Sequence, residues 1–590
     1  MRIKRLLRKG LVWALAGLLI VVLAGCRLEQ FRVQSARAGQ IVVSSLSDPR
    51  TFNPVISQEV SPVFGYLFEG LVTTNGLTGE IEPDLAESWQ VSEDGQQIIF
   101  TLRAGLKWSD GEPLTVDDVV FTYNDLYLNP DIPTDARDIL RVGEEGTLPT
   151  ISKIDGRRVA LRVSEPFAPF LRNAGVPILP RHILEVSVRE KDPEGRSRFL
   201  GMWGTDSNPQ DIVGSGPYRM VNYATSQRVV LERNPYYWRR DDQGQPQPYI
   251  ERMVVQIVES ADTALIQFRS RGLDLLSVSP EYFSLLKREE DRLDFSIYEG
   301  GPTLSSSFIS FNLNKGRRNG RPLVDPIKSR WFNTVAFRQA VAYAINRQQM
   351  LNNIFQGIGE PENSPIPVQS PYYLAPEDGL RTYDYDPDKA RELLLGAGFT
   401  YNSSGQLLDA EGNRVRFTLM TNAGNKIREA MGAQIRQDLS RMGMQVDFTP
   451  IAFNTLVERL SNSLQFECYL LGFSGGGVEP NSSANIWRVD GGLHNFNQQP
   501  RPGQPPLEGR EVADWEAQID QLYIDGAQTL DEDERKEIYG RAQMLVQENL
   551  PFIYLINPLS MTAVSNKIQG VQYSALGGAL WNIHELQLQE

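Results

Sequence analysis

The chain of 590 residues contains only two cysteines, Cys26 and Cys468, and only three histidines. None of His182, His494 and His584 has a second histidine or a cysteine at a metal-ligand spacing. This scarcity excludes a disulfide framework and a recognisable zinc or structural metal site. A G-x-x-x-x-G-K-[ST] phosphate loop is also missing, so the sequence predicts no ATPase activity of its own and no cofactor.

Basic residues are fewer than acidic residues. The chain has 59 lysines and arginines against 73 aspartates and glutamates, a net charge of −14. An acidic protein repels the phosphates of nucleic acids and of anionic lipids, so neither is an expected partner for the body of the molecule. The negative net charge does not identify a ligand, because a solvated protein surface is often acidic.

The N-terminal segment lacks the length of a membrane span. Five basic residues precede an uncharged apolar run from Leu11 to Gly25, whose 15 residues fall short of the roughly 20 needed to cross a bilayer. This layout predicts a secretory signal peptide over residues 1–25. An uncleaved membrane anchor is the alternative.

The end of that run, Leu23-Ala24-Gly25-Cys26, resembles a bacterial lipobox, which implies that Cys26 is lipidated and becomes the first mature residue. Two or three acyl chains anchor a protein stably. Cleavage would remove five basic residues and no acidic one, so the net charge would change from −14 to −19. Residues 26–39 then form a polar tether, and the protein is expected to be exported and held on the periplasmic or cell-surface side of the bacterial membrane.

The remaining length exceeds what one hydrophobic core supports, so several lobes are expected. Strand-like and helix-like segments alternate without a repeat, which predicts an α/β fold. Turn signals cluster in a β-rich region within residues 74–205. Helices are predicted after the capping pair Thr115 and Asp118, over 334–357, and from the N-caps Asp386 and Asp531.

Four segments together are similar to one known family: "LRAGLKWSDGEPLTVDDVVFTYN", "GSGPYRMVNYATSQRVVLERNPYYW", "FRQAVAYAINRQQML" and "ERKEIYGRAQMLVQENLPFIYL". They resemble, in the right order, the peptide/nickel class of extracellular solute-binding proteins of bacterial ABC importers, the class of the oligopeptide-binding proteins. The resemblance implies a two-lobed type II periplasmic-binding-protein fold with a ligand between the lobes, and hinge closure over it.

The resemblance also implies domain boundaries. The first lobe would comprise residues 40–73, 206–302 and 563–590, the inserted subdomain residues 74–205, and the second lobe residues 303–562, with a crossover near 306–314. The expected partners are a small-molecule or oligopeptide ligand, the ABC permease subunits and, through the lipid, the membrane, for a protein that acts as a monomer.

The stretch "YLLGFSGGGVEPN" has two interpretations. Gly472, Ser474 and Gly476 spell G-x-S-x-G, the pattern of a serine-hydrolase nucleophile elbow, which needs a helix directly behind the serine and a histidine base. Ser474 is followed by Gly475, Gly476 and Gly477 and then by Val478-Glu479-Pro480, which make a poor helix start. The hydrolase is therefore the less favoured interpretation.

In the family that the chain resembles, the matching loop lies along the ligand. By that analogy Phe473 is an aromatic wall, and Ser474, Gly475 and Gly476 offer backbone groups to an extended ligand. Peptide-binding members often carry an aspartate for the peptide α-ammonium group where this chain has Gly476. Glu479 either replaces that acid or starts a helix, and Trp487 and Trp108 either line the cleft or lie in the core.

These patterns predict a receptor that captures a small solute, most simply an oligopeptide, and presents it to a permease without chemistry. A capped peptide, a sugar or an opine-like solute fits the missing acid equally well. A hydrolase using Ser474 and a sensor or chaperone with the same fold are the other hypotheses.

Overall fold

The structure is a computed structural model that describes residues 39–57, 61, 63–134, 136–474, 477–500 and 504–589. The predicted signal peptide, Cys26, the tether up to residue 38, Gly475 and Gly476 lie outside the described residues. Within these ranges, no helix is long and apolar enough to cross a bilayer.

Four sheets of three or more strands carry the fold. The first-lobe sheet has the order Gln40–Ser45, Arg252–Ile257, Arg228–Arg233, Tyr218–Ala224, and the insert sheet the order Ala86–Val91, Gln97–Leu102, Arg158–Arg162, Thr150–Lys153. The hinge sheet joins Leu275–Ser277, Leu559–Ser565 and Phe295–Pro302. The second-lobe sheet has the order Gln445–Ile451, Arg416–Asn422, Cys468–Leu471, Phe308–Phe311, Ile553–Tyr554.

Parallel pairing is confined to a few neighbours in these sheets. Gln40–Ser45 runs parallel to Arg252–Ile257, and Arg416–Asn422 runs parallel to both of its neighbours. Short ribbons pair Val72–Thr74 with Ile81–Pro83, Arg317–Arg318 with Arg321–Pro322, Glu360–Pro361 with Ile556–Asn557, Thr400–Tyr401 with Leu407–Leu408, and Ile568–Gln569 with Gln587–Leu588.

The longer helices cover the sheets: Arg181–Arg189, Ala261–Arg269, Pro280–Lys287, Pro326–Asn333, Val335–Ala344, Pro387–Gly396, Lys426–Arg441, Asp514–Gln528 and Glu532–Asn549. Shorter helices span Phe64–Leu67, Val116–Phe121, Ala136–Ile139, Phe170–Asn173, Glu290–Leu293, Arg347–Asn353, Phe453–Glu458 and Ala484–Trp487.

Local capping signals predicted several helix starts correctly. Asp118 accepts the backbone N–H of Thr115 at 2.8 Å in a capping box, and the Asp386 carboxylate accepts the N–H of Lys389 at 2.9 Å. The single helix predicted over 334–357 is wrong. Asn346 caps a second helix by accepting the N–H of Gln349 at 2.8 Å, and this capping breaks the segment in two.

Hydrophobic packing separates the molecule into a large second-lobe core and cores in the first lobe. Residues 308–556 supply the second-lobe core, where the rings of Phe308 and Phe552 lie 4.4 Å apart. The first-lobe sheet and the insert share one core, to which Phe100 and Met253 both contribute. Burying each such side chain stabilises the fold by about 1.5–3 kcal/mol. Shared packing does not delimit lobes, so the boundaries above stay a prediction.

Two adjacent segments cross between the hinge sheet and the second-lobe sheet. Thr303–Ser307 follows the strand that ends at Pro302, and Leu555–Pro558 returns to the strand that begins at Leu559. They are bonded together at both ends: the Thr303 N–H donates to Pro558 O at 3.0 Å and the Leu555 N–H to Ser307 O at 2.8 Å. A pair of hydrogen-bonded crossings is the geometry of a hinge.

The lobes also meet away from the hinge. The Ala168 N–H of the predicted insert donates to Ala527 O of the predicted second lobe at 2.8 Å, and Lys426 Nζ lies 3.2 Å from Asp262 Oδ2. The structure therefore shows the lobes in contact, as expected of a closed conformation.

Candidate binding site between the lobes

A cavity of about 470 Å³ lies where the two crossings meet the second lobe. Its wall combines the hinge sheet, the crossing segments and the start of the helix Lys426–Arg441. The lining residues are Ser277, Val278, Ser279, Pro280, Thr303, Ser305, Ser306, Ser307, Phe355, Asn425, Ile427, Arg428, Met431, Ile556, Pro558, Leu559, Ser560, Met561, Thr562, Tyr573 and Gly578. A concave space of this size with a few convergent polar groups suits a small organic ligand.

Arg428 is the one charged residue in that lining. Its Nη1 donates to Asn422 Oδ1 at 2.9 Å, and desolvation lowers its pKa from the ordinary value of 12.5. No carboxylate of the described residues forms an ion pair with it. Asn425 caps the same helix by accepting the Arg428 N–H at 2.9 Å, so the helix N-terminus adds positive potential beside the guanidinium.

Hydroxyl groups supply most of the remaining polarity. Ser279 Oγ is buried and has no hydrogen-bond partner among the residues that the structure describes. The hydroxyl of Tyr573 contacts Ser560 Oγ at 2.8 Å. An anionic ligand would find one guanidinium, a free hydroxyl and no opposing carboxylate here, which favours negative over positive ligand charge.

The start of the glycine loop, residues 472–474, bonds to the first crossing at Ser306, which lines this cavity. The Ser306 N–H donates to Phe473 O at 2.9 Å, and Ser306 Oγ accepts the Phe473 N–H at 3.3 Å. Any Cβ at Gly472 would lie 1.9 Å from Ser306 O. Gly472 is therefore required by close contact with the chain's own backbone.

The predicted loop residues have different surroundings. Phe473 is half-buried, with its ring 4.9 Å from that of Phe308 and 5.6 Å from that of Phe552, while Ser474 is exposed. Gly475 and Gly476 lie outside the described residues, so their predicted backbone contacts to a ligand stay a prediction.

Glu479 does not line the cavity. Its carboxylate forms a buried ion pair with Arg535 at 2.6 Å and accepts the Asn481 N–H at 3.3 Å at the start of the 3-10 helix Pro480–Ser483. Of the two roles predicted for Glu479, the structure shows the helix-start acid. A carboxylate paired in this way is not available to a ligand ammonium group.

The tryptophans proposed as cleft residues both lie in cores. Trp487 is 2% exposed, stacks on Tyr523 at 6.1 Å and packs edge-on against Phe552 at 5.6 Å. Trp108 is fully buried in the first-lobe core. Neither lines the cavity, so the core interpretation fits both residues in this conformation.

The structure does not assemble a hydrolase triad around Ser474. His494 is buried, and its two ring nitrogens face Ile486 O at 2.9 Å and Glu516 Oε2 at 3.5 Å. His584, in the predicted first lobe, contacts Arg239 at 3.3 Å. Among the described residues no hydrogen bond joins Ser474 to a histidine, and no group of three His, Cys, Asp or Glu side chains forms a metal site.

Sequence reasoning missed Arg428, Ser279 and Tyr573. The helix at Arg428 has a visible signal, because Asn425 precedes apolar residues spaced by four at Met431, Ile435 and Leu439. No sequence signal predicts that this helix lies at the hinge, because its position depends on pairing between strands that are distant in the sequence.

Comparison with known proteins agrees with this architecture. Residues 80–495 match the profile of bacterial extracellular solute-binding proteins, family 5 Middle. A probable ABC transporter-binding protein of Deinococcus radiodurans is 30% identical over 553 residues, which cover 89% of this chain and 88% of the relative.

Two solved structures share the fold. One is the oligopeptide-binding protein AppA of Bacillus subtilis in complex with a nonapeptide, with TM-score 0.73, 23% identity, and 93% of this chain and 99% of AppA covered. The other is a periplasmic binding protein of Agrobacterium fabrum in complex with stachyose, with TM-score 0.75, 21% identity, and coverages of 93% and 84%. The predicted two-lobed type II fold is thus confirmed, and this chain belongs to family 5 of the bacterial extracellular solute-binding proteins.

Proposed function

We propose that this protein is the substrate-binding component of an ABC importer, which encloses a small solute between its lobes and delivers it to a membrane permease. Membership of the family supports the receptor role, and the Deinococcus relative is named as a probable ABC transporter-binding protein. The hydrogen-bonded crossings and the contacts between the lobes provide the means of enclosure.

The ligand that we propose is an oligopeptide, or a peptide-like solute, recognised by an anionic end. Arg428 carries this proposal, since it is the only charged residue in the cavity lining and has no carboxylate partner among the described residues. Two of the relatives are named as an oligopeptide-binding and a dipeptide-binding protein. Because Glu479 is already paired with Arg535, recognition here depends on the carboxylate end of a peptide more than on its amine.

The test uses one tetrapeptide of small residues in three forms: unmodified, N-acetylated and C-amidated. Isothermal titration of the mature protein should show similar affinity for the first two forms and at least a tenfold loss for the amide, since a charge-assisted hydrogen bond contributes about 1.5–3 kcal/mol. In Arg428→Gln the three forms should bind alike and weakly. Arg436→Gln, an exposed arginine on the same helix, is the matched control and should behave as wild type.

Other outcomes separate the parts of this proposal. If stachyose or another sugar raises the melting temperature and no peptide does, the peptide ligand is wrong while the receptor role stands. If peptides bind but amidation has no effect, the role of Arg428 is wrong.

Lipid anchoring at Cys26 is the remaining part of the proposal and rests on the lipobox-like tetrad alone. Cys26→Ala should move the protein from the membrane fraction to the soluble exported fraction and abolish incorporation of labelled palmitate. Cys468→Ala, the matched control, removes a buried thiol and should leave the fractionation unchanged. Continued membrane retention of Cys26→Ala would contradict the anchor.

A further inference from the structure

A second and larger cavity lies inside the first lobe. Its volume is about 860 Å³, and its lining combines residues 64–73 and 572–585 of the predicted first lobe with residues 74–84 and 172–177 of the predicted insert. It shares no lining residue with the cavity between the lobes. A ligand here would thus be independent of the solute proposed above.

Two carboxylates line this cavity side by side. Glu69 accepts hydrogen bonds from the Tyr237 hydroxyl at 2.7 Å and from Trp238 Nε1 at 2.9 Å. Asp84 is 4% exposed, and its Oδ1 has no hydrogen-bond partner among the described residues. The nearest cationic atom, Arg239 Nη2, lies 3.5 Å from Oδ1, which makes an ion pair without a good hydrogen bond.

The positive charge around these carboxylates is incomplete. Within the described chain, Arg239 alone forms an ion pair with either of them. Arg103 adds a weaker field, because its Nε donates to the backbone carbonyl of Asp84 at 2.6 Å while its guanidinium lies over the Trp238 ring at 3.9 Å. His584 contacts Arg239 at 3.3 Å, and burial lowers its pKa to about 4, so it is neutral at pH 7.

The pKa values of the carboxylates agree with this imbalance. Burial raises the pKa of Asp84 to about 6, against the opposing effects of the Arg239 charge, of a hydrogen bond shared with the Glu69 carboxyl group and, more weakly, of Arg103. Burial and then the charge of Asp84 raise the pKa of Glu69 well above its usual range. In the absence of a further cation, a proton bound to Asp84 or Glu69 reduces the negative charge of this buried pair.

The rest of the wall suits a short hydrocarbon chain. Phe64, Phe68, Tyr237 and Trp581 contribute aromatic surface. Arg172, the other cation in the lining, donates to Thr74 Oγ1 at 3.2 Å and to Gly79 O at 2.9 Å. No group of three metal-ligating side chains occurs among the described residues, which argues for an organic cation over a metal ion.

We propose that this cavity binds a primary alkylammonium group, either a small amine or the amine end of a longer molecule, with the ammonium nitrogen against Asp84 and Glu69. An ammonium group offers three N–H donors, one of which would satisfy Asp84 Oδ1. The bound ammonium group would also balance the negative charge of Asp84 and Glu69, and so replace the proton that the pair otherwise binds. The volume is within the range of small-molecule sites.

The test is a thermal shift and calorimetric titration of the mature protein with n-butylamine and 1,5-diaminopentane as probes. Both amines should raise the melting temperature at pH 7.5, whereas n-butanol and tetramethylammonium, which lack ammonium N–H donors, should not. Affinity should fall about tenfold between pH 7.5 and pH 5, because a carboxylate with a pKa near 6 is mostly protonated at pH 5.

Variants locate the amine. Asp84→Asn and Glu69→Gln should each abolish the shift, and Glu585→Gln, an exposed carboxylate in the same lining, should keep it. Arg428→Gln should also keep it, which separates this site from the solute cavity. The absence of any amine effect on folded wild type at pH 7.5 would overturn the proposal, as would an effect that survives in Glu69→Gln and Asp84→Asn.

Discussion

Glu479 and Arg535 form an ion pair at 2.6 Å in which both side chains are more than nine-tenths buried. Arg535 also donates from Nε to Gly526 O at 2.8 Å and lies over the Tyr372 ring at 4.7 Å. The pair connects the end of the glycine loop to the two helices Asp514–Gln528 and Glu532–Asn549. Glu479, which the sequence suggested as a possible ligand contact, is thus part of a buried ion pair that stabilises the packing of these elements.

Replacing Glu479 by glutamine should destabilise the protein by about 3–5 kcal/mol, because Arg535 would keep a buried charge without a partner. The measurement is the shift in urea-induced unfolding followed by circular dichroism. Glu411→Gln is the matched control, since Glu411 pairs with Arg330 at the same 2.6 Å distance but both groups are exposed. The control should change stability by less than about 1 kcal/mol. Equal shifts in the two variants would show that burial is not decisive.

Local signals predicted much of the fold. Thr115, Asp118 and Asp386 cap helices because their side chains bond to backbone N–H groups within three residues, and such contacts are written in the sequence. Asn346 caps a helix by the same kind of hydrogen bond, to the N–H of Gln349. Because Asn346 lies within a long stripe of apolar residues at helical spacing, the sequence pattern did not predict the break between the two helices.

The candidate site could be predicted only in part. The loop after the strand Cys468–Leu471 bonds to the first crossing at Ser306, and its predicted contact with a ligand stays a prediction. The partner of Glu479 lies 56 residues further along the chain. Arg338 shows the same limit, because its buried guanidinium donates to the backbone carbonyl of Asn549, 211 residues away, at 2.7 Å. Such partners depend on tertiary packing, which no local pattern encodes.

Gly472→Ala should destabilise the protein by about 1–3 kcal/mol and weaken solute binding, because the new methyl group would displace the crossing segment at Ser306. Chemical unfolding and peptide titration measure the two effects. Gly396→Ala, at an exposed helix position with no atom within 4 Å of the added carbon, is the control. It should stabilise by about 0.5 kcal/mol through loss of unfolded-state entropy. Unchanged binding by Gly472→Ala would mean that the loop and hinge are not coupled.

Acidification should unfold the protein partly through His584. Burial, and then the charge of Arg239, lower its folded pKa from 6.5 to about 4. As the pH falls from 6.5 to 4, the unfolded chain takes up a proton that the folded chain refuses, so stability present above pH 6.5 is lost across this window. The loss is about 3 kcal/mol.

His584→Gln should remove that loss. The difference in unfolding free energy between wild type and variant should therefore move against the wild type between pH 7 and pH 4, as measured by urea unfolding at each pH. A difference that is constant over this range would contradict a depressed His584 pKa.

Closure of the lobes should depend on the pair formed by Asp262 of the first lobe and Lys426 of the second, 3.2 Å apart. Asp262→Lys replaces this attraction by repulsion, which should favour an open state, lower peptide affinity about two- to fivefold and increase the radius of gyration in solution scattering. Glu392→Lys, which disrupts the Lys389–Glu392 pair within one lobe, is the control and should do neither. An added positive charge near Arg428 would by itself strengthen the binding of the anionic end of a peptide. A loss of affinity in Asp262→Lys would therefore report on closure of the lobes. A gain of affinity would show that the Asp262–Lys426 pair does not hold the lobes together.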